Sequence, residues 1–179
     1  MTSVLDRHPV TTLPASRPAD IRVRPMLRED AAALDEIFDG LSEHSRYLRY
    51  HAGTPALTAR MRRTLLDVDG RRHLARVAET VANGRRRAIG VARALDLGGG
   101  CAELAVEVVD DWHRRGVGTL LLRAVRDEAF RVGYVELHAH VLPANRAMLR
   151  LLSQLSDDVM VDRVDGTLRV RVGAGPTTY

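Results

Sequence analysis

The chain opens without a pattern and then acquires two. Residues 1–20 carry three prolines and no periodic apolar positions, and read as a flexible leader. Over residues 21–24 apolar and charged side chains alternate, which predicts a first strand ended by Pro25. Between Arg28 and Leu41, apolar residues at Ala33, Leu34, Ile37, Phe38 and Leu41 recur at helical spacing. Residues 42–50 predict a second helix. Thr54-Pro55 predicts the opening of a third, with Thr54 as cap and Pro55 in the first turn. At His73 the period changes to two. Residues 73–80 and 88–96 predict strands joined at Asn83-Gly84, a dipeptide suited to tight hairpins. Gly98-Gly99-Gly100 makes the next turn, and residues 102–109 a third strand. Leu121, Leu122, Val125 and Ala129 line one side of a helix running from Gly116 to near Arg131, and Gly133 stops it. A strand at 134–142, a helix at 145–155 and a hairpin at 159–172 turning at Asp165-Gly166 complete the pattern. Strands in series followed by strands alternating with helices predict an α/β (α+β) domain: a mixed sheet with helices on its faces. Residues 21–173 read as one domain and 174–179 as a tail.

Composition narrows the chemistry. The 179 residues are one domain's worth of chain. Hydrophobic residues make up 45% but aromatic ones only 4%, so the core must be aliphatic. The one cysteine, Cys101, excludes a disulfide scaffold and a multi-cysteine zinc site. No apolar run is long enough to span a membrane, and the first 20 residues lack the apolar stretch of a secretory signal. A cytoplasmic setting is therefore expected. All 27 basic residues are arginine, so no lysine can serve as nucleophile or Schiff base. The net charge of +4 suits an anionic ligand but is weak evidence for nucleic acid. The arginines at 60, 62, 63 and 85–87 are interleaved with acids and lack aromatic neighbours, which argues against nucleic-acid binding.

The segment His113-Arg114-Arg115-Gly116-Val117-Gly118-Thr119 follows a predicted strand and opens a predicted helix. The first amides of a helix have no internal partner, and the helix dipole favours an anion there. Gly116 and Gly118 let a ligand approach the backbone, and Arg114 and Arg115 add charge at the rim. A pyrophosphate suits such a loop. It is not a Walker loop, having no lysine. Nor is it a dinucleotide fingerprint, because Leu121 stands where the third glycine belongs.

With its flanks, residues 102–121 (AELAVEVVDDWHRRGVGTLL), this segment resembles the coenzyme A motif of the GNAT N-acetyltransferase family. Residues 141–149 (VLPANRAML) resemble the same family's strand-to-helix Asn segment. The resemblance implies a mostly antiparallel sheet of about seven strands with a splayed parallel central pair, flanked by four to five helices. It implies acetyl-CoA as co-substrate, held between the strands at 102–109 and 134–142. The backbone of Glu107 would polarise the thioester carbonyl, with Val108 beside it, and that of Val109 would hold the pantetheine arm. The amides of the loop from His113 and Arg114 through Arg115, Gly116, Val117 and Gly118 to Thr119 would cradle the pyrophosphate, and Asn145 would touch the cofactor further along. Dimers are common in the family, which implies a homodimer as a candidate assembly. Two departures stand out. His113 opens the loop where the family has Gln or Arg, and Leu152 stands where many members carry a tyrosine acid for the leaving thiolate.

The family reaction is direct attack of a primary amine on the thioester in a ternary complex. A protonated amine must first lose a proton, and a nearby carboxylate is the natural acceptor. Glu103 falls where several family members keep that base. Strand alternation puts Glu103, Ala105, Glu107 and Val109 on one face, so Glu107 is the second candidate. His138 and His140 share a strand face, but the sequence supplies no third ligand at metal-site spacing, and no metal is expected. The stretch at 41–50 (LSEHSRYLRY) resembles bacterial GNAT domains of the protein-lysine acetyltransferase type, which implies a protein lysine as acceptor. Small amines are the alternative acceptors. A catalytically weak CoA-binding or regulatory module is the alternative class.

Overall fold

A computed structural model describes residues 21–82 and 84–174. The leader, Asn83 of the predicted turn and the tail beyond residue 174 lie outside the described residues. Among the described residues the order is β1 (Arg22–Pro25), α1 (Ala31–Asp39), α2 (Glu43–Tyr50), α3 (Ala59–Leu66), β2 (His73–Ala82), β3 (Arg85–Gly98) and β4 (Cys101–Val108). A short 3₁₀ turn (Asp110–Trp112) then leads to α4 (Val117–Arg131), β5 (Glu136–Val141), α5 (Arg146–Ser153), β6 (Val159–Val164) and β7 (Thr167–Gly173).

The strands form one sheet in the order β1-β2-β3-β4-β5-β7-β6. Every pairing is antiparallel except β4 with β5. The β2–β3 hairpin runs further than the side-chain pattern predicts, closing on the pair Ala82↔Arg85. Its last rungs are held by main-chain hydrogen bonds, which are indifferent to the arginines at 85–87. At the β6–β7 turn, Asp165 and Gly166 both take positive φ (46° and 80°), as a tight hairpin demands.

Helices cover both faces. On one, the four apolar residues foreseen on α4 (Leu121, Leu122, Val125 and Ala129) are fully buried against Ala78, Ala92, Leu104 and Leu137, with Leu152 of α5 beside them. On the other, Leu34, Ile37 and Phe38 of α1 pack on Val77 and Val91 with Met26, and α3 adds Met61 and Leu65. Among the described residues Phe38 is the one aromatic in the fully buried core, with Trp112, Phe130 and Tyr134 packed against its edge.

One predicted boundary fails. The third helix is opened by Thr58, whose hydroxyl accepts from the Met61 amide at 3.2 Å, and not by Thr54-Pro55. The reason is tertiary. Leu57 is drawn into the core beside α1, and the Pro55 carbonyl accepts from Arg46 Nη1 at 3.0 Å, so this stretch is spent as a connection. Pro25, expected to end β1, is its last residue. β1 is an edge strand, where a missing amide is tolerated.

Gly90 of β3 sets how closely β4 and α4 approach. A Cβ there would stand 2.8 Å from the Glu107 carbonyl oxygen and 3.0 Å from Leu121 Cδ1. Gly90→Ala is expected to cost about 1–3 kcal/mol through forced displacement of β4, read as a lower urea midpoint with an unchanged m-value.

Candidate functional site

The parallel ladder between β4 and β5 covers three rungs: Cys101↔Glu136, Ala102↔Leu137 and Glu103↔His138. Beyond Glu103 the register of β4 continues only with β3, as far as Gly90↔Val108. The second edge of residues 104–108 is thus released. Which amides face it follows from alternation. The Val109 amide donates to Ile89 O of the β3 side at 3.0 Å. Residues of the same parity, Glu107 included, therefore turn their backbone groups to β3, and Val106 and Val108 turn theirs to the released edge. This differs in register from the assignment implied by the sequence. The backbone groups of Glu107 and Val109 are engaged with the sheet and the turn, since Val109 O also accepts from Trp112 N at 2.8 Å.

Past the end of β4, the loop enters α4 with no side-chain cap. The amides of Val117, Gly118 and Thr119 have no acceptor within the helix. Gly116, the N-cap, has φ 80° and open space around its Cβ position, so its requirement is conformational. Gly118 serves differently from the expectation. It is helical, and a Cβ there would lie 3.1 Å from Leu151 Cδ1, so it lets the first turn of α4 approach α5. Arg114 holds φ 58°, which costs a residue with a Cβ about 1–2 kcal/mol. The guanidinium of Arg115 lies 5.1 Å over the Trp112 ring. His113 Nε2 lies 2.8 Å from the Val108 carbonyl, which only accepts, so this nitrogen carries the proton and ties the loop to β4. Asn145 caps α5, its Oδ1 accepting from Met148 N at 3.1 Å. Leu152 is fully buried.

The opposite face of β4 carries the two glutamates, and the fold treats them unequally. Glu103 is half-exposed. Glu107 is 4% exposed, and both its oxygens are bound: Arg49 Nε donates to Oε1 at 3.0 Å and the Tyr50 hydroxyl to Oε2 at 3.2 Å. Burial, with the Glu107 charge, pushes the Tyr50 phenol far above the ordinary tyrosine range, so it stays a donor. Arg93 of β3 is equally buried on this face. Its Nη1 donates to Leu65 O at 2.7 Å. Burial holds its pKa below the ordinary guanidinium value, against the pull of Glu107. Sequence reasoning missed Arg93. The available signal was one arginine between Val91, Ala92, Ala94 and Leu95, inside the otherwise apolar run 88–95.

The acetyltransferase (GNAT) family model matches residues 35–155. The chain belongs to this GNAT family. It is 29% identical over 136 residues to an acetyltransferase of Pseudomonas aeruginosa, covering 75% of this chain and 73% of that relative. The fold is similar to the GNAT domain of S. lividans PAT, with a TM-score of 0.76, 27% identity, and coverage of 86% of this chain and 90% of that one. It is also similar in fold to a putative acetyltransferase from Salmonella typhimurium solved with its cofactor acetyl-CoA, at TM-score 0.64 and 20% identity, covering 89% and 97% of the two chains.

In this GNAT domain the arginines of α2 tie it to α1 and to the sheet. Arg46 donates to Phe38 O at 3.1 Å and lies 4.1 Å over the Phe38 ring, while Arg49 reaches Glu107. Removing Arg49 leaves the Glu107 carboxylate short of a charged donor. Arg49→Ala is expected to cost about 2 kcal/mol, measured by chemical denaturation. An unchanged stability would mean that Glu107 needs no partner from α2.

Proposed function

We propose that this chain moves an acetyl group from acetyl-CoA to a primary amine by direct attack in a ternary complex. The released edge of β4 beside the uncapped start of α4 carries this reading. It offers two free strand amides and three free helix amides in sequence along one side of the sheet. The Val106 N–H is aimed to polarise the thioester carbonyl and the Val108 N–H to hold the pantetheine arm. The amides of Val117, Gly118 and Thr119, with Arg114 and Arg115 at the rim, receive the pyrophosphate. Asn145 lies beyond them at the start of α5.

Glu103 is the proton acceptor in this reading. It is accessible, whereas both oxygens of Glu107 are already bound by Arg49 and Tyr50. Glu103 takes a proton from the acceptor's ammonium group. The freed nitrogen lone pair attacks the acetyl carbon, the C–S bond breaks, the sulfur leaves with the electron pair as thiolate, and the thiolate takes up the second proton, which the acylated nitrogen releases. Glu107 instead pairs with Arg49 and balances the charge of the buried Arg93. The acceptor best supported is a protein lysine, on the likeness of the stretch at 41–50 to lysine acetyltransferase domains. The acidic face of β4 suits any cationic amine.

Glu103→Gln is expected to lower kcat by about 10²–10⁴-fold with lysine peptides, measured by thiol release, while calorimetric affinity for acetyl-CoA stays unchanged. Undiminished turnover would remove Glu103 from the reaction. No binding of acetyl-CoA by the unaltered chain would remove the transferase reading.

A further inference from the structure

The parallel rungs at the closed end of the β4–β5 pair gather three metal-binding side chains. Cys101 and Glu136 are register partners, and His138 is two residues further along the same face of β5. One ligand atom from each (a sulfur, a carboxylate oxygen and an imidazole nitrogen) lies within 4.8 Å of both others. The group is built on rigid backbone. The Val135 amide donates to Gly100 O at 2.8 Å immediately before both strands begin, and the turn ahead of Cys101 holds three glycines at positive φ. All three side chains are part-buried, so the group is sheltered yet open to solvent.

The chemistry of the set is selective. A thiolate, an imidazole and a carboxylate match Zn²⁺ and its neighbours, not Mg²⁺ or Ca²⁺. Three protein ligands leave a fourth tetrahedral position for water. Ligand atoms around a tetrahedral zinc are about 3.3–3.8 Å apart, given bonds of about 2.0–2.3 Å. Small side-chain rotations bring these three into that range. His138 Nε2 is hydrogen-bonded to Glu136 Oε1, so a cation takes the place of this hydrogen bond. One thiolate and one carboxylate neutralise a divalent ion. The positive neighbour, Arg171, is held by Asp162 at 3.1 Å and stands 3.9 Å from Glu136 Oε2.

We propose that Cys101, Glu136 and His138 form a binding site for a zinc-class divalent transition metal. The site adjoins the candidate acceptor face, because Glu103 is the register partner of His138. A bound dication there repels a cationic amine, so metal binding inhibits transfer. This second step rests on the proposed function; the binding itself does not.

The test is titration of the untagged full chain with Co²⁺ alone, followed by optical absorption. Saturation at one equivalent is expected, with the near-ultraviolet thiolate-to-cobalt charge-transfer band and tetrahedral visible bands, all bleached by added Zn²⁺. Cys101→Ser, a nearly isosteric change, should abolish the charge-transfer band. Glu136→Gln and His138→Ala, checked for folding by circular dichroism, should each weaken binding at least about tenfold. Absence of the band in the unaltered chain, or unchanged affinity in both of the latter variants, overturns the site. Zn²⁺ should inhibit acetyl transfer by the unaltered chain but not by Cys101→Ser. If the band appears and Zn²⁺ inhibits both proteins equally, the site stands and its effect on transfer is overturned.

Discussion

The organisation of this protein depends on a β-strand that pairs fully on one edge and only briefly on the other. β4 is bound to β3 along its length, and its ladder to β5 spans three rungs. In an ordinary sheet the unpaired amides would be a cost, since buried backbone donors are almost always satisfied. Here the unpaired stretch ends beside the start of α4, another run of unsatisfied amides. Two backbone deficits therefore lie end to end. Together they form an extended donor surface suited to a long, oxygen-rich ligand.

The surrounding packing keeps that edge open. Gly90 lets β4 sit close to β3 and α4. Gly118 lets the first turn of α4 meet Leu151 of α5, and Gly116 supplies the left-handed entry to the helix. These are three glycines with three different physical requirements. His113 ties the loop back to the Val108 carbonyl, leaving that residue's amide free. The other face of β4 is handled by charge instead of by close packing. Glu107 is bound by Arg49 and Tyr50 of α2 and its charge acts on the buried Arg93 of β3, so α2 is anchored by an ion pair and a neutral tyrosine hydroxyl. Losing one partner of such a pair costs more than forming it gains. Glu103, four residues along the same face, remains accessible.

Much of the architecture was legible in the chain. The helical spacing of Leu121, Leu122, Val125 and Ala129 named the buried face of α4, and Asp165-Gly166 named a turn. The glycine loop named its own place between strand and helix. The errors have one origin. Thr54-Pro55 satisfied every local rule for a helix start, yet Leu57 and Arg46 drew that stretch into a connection. The register of the open edge of β4 was likewise not legible, because alternation gives two choices, and only the bond from Val109 to Ile89 selects between them.

Sequence alone determined what is encoded within a few neighbouring residues: the period of burial, the turns, and the amide-rich entry to α4. These follow from dihedral preference and from which side chains avoid water. The tertiary structure decided everything that depends on register between distant segments. It chose which β4 amides face the open edge, brought Arg49 to Glu107 across 58 residues, and set Cys101 opposite Glu136 beside His138. A strand carries no mark of its partner's alignment, and shifting by one residue reverses every face. That alignment is fixed by the packing of the whole sheet against its helices.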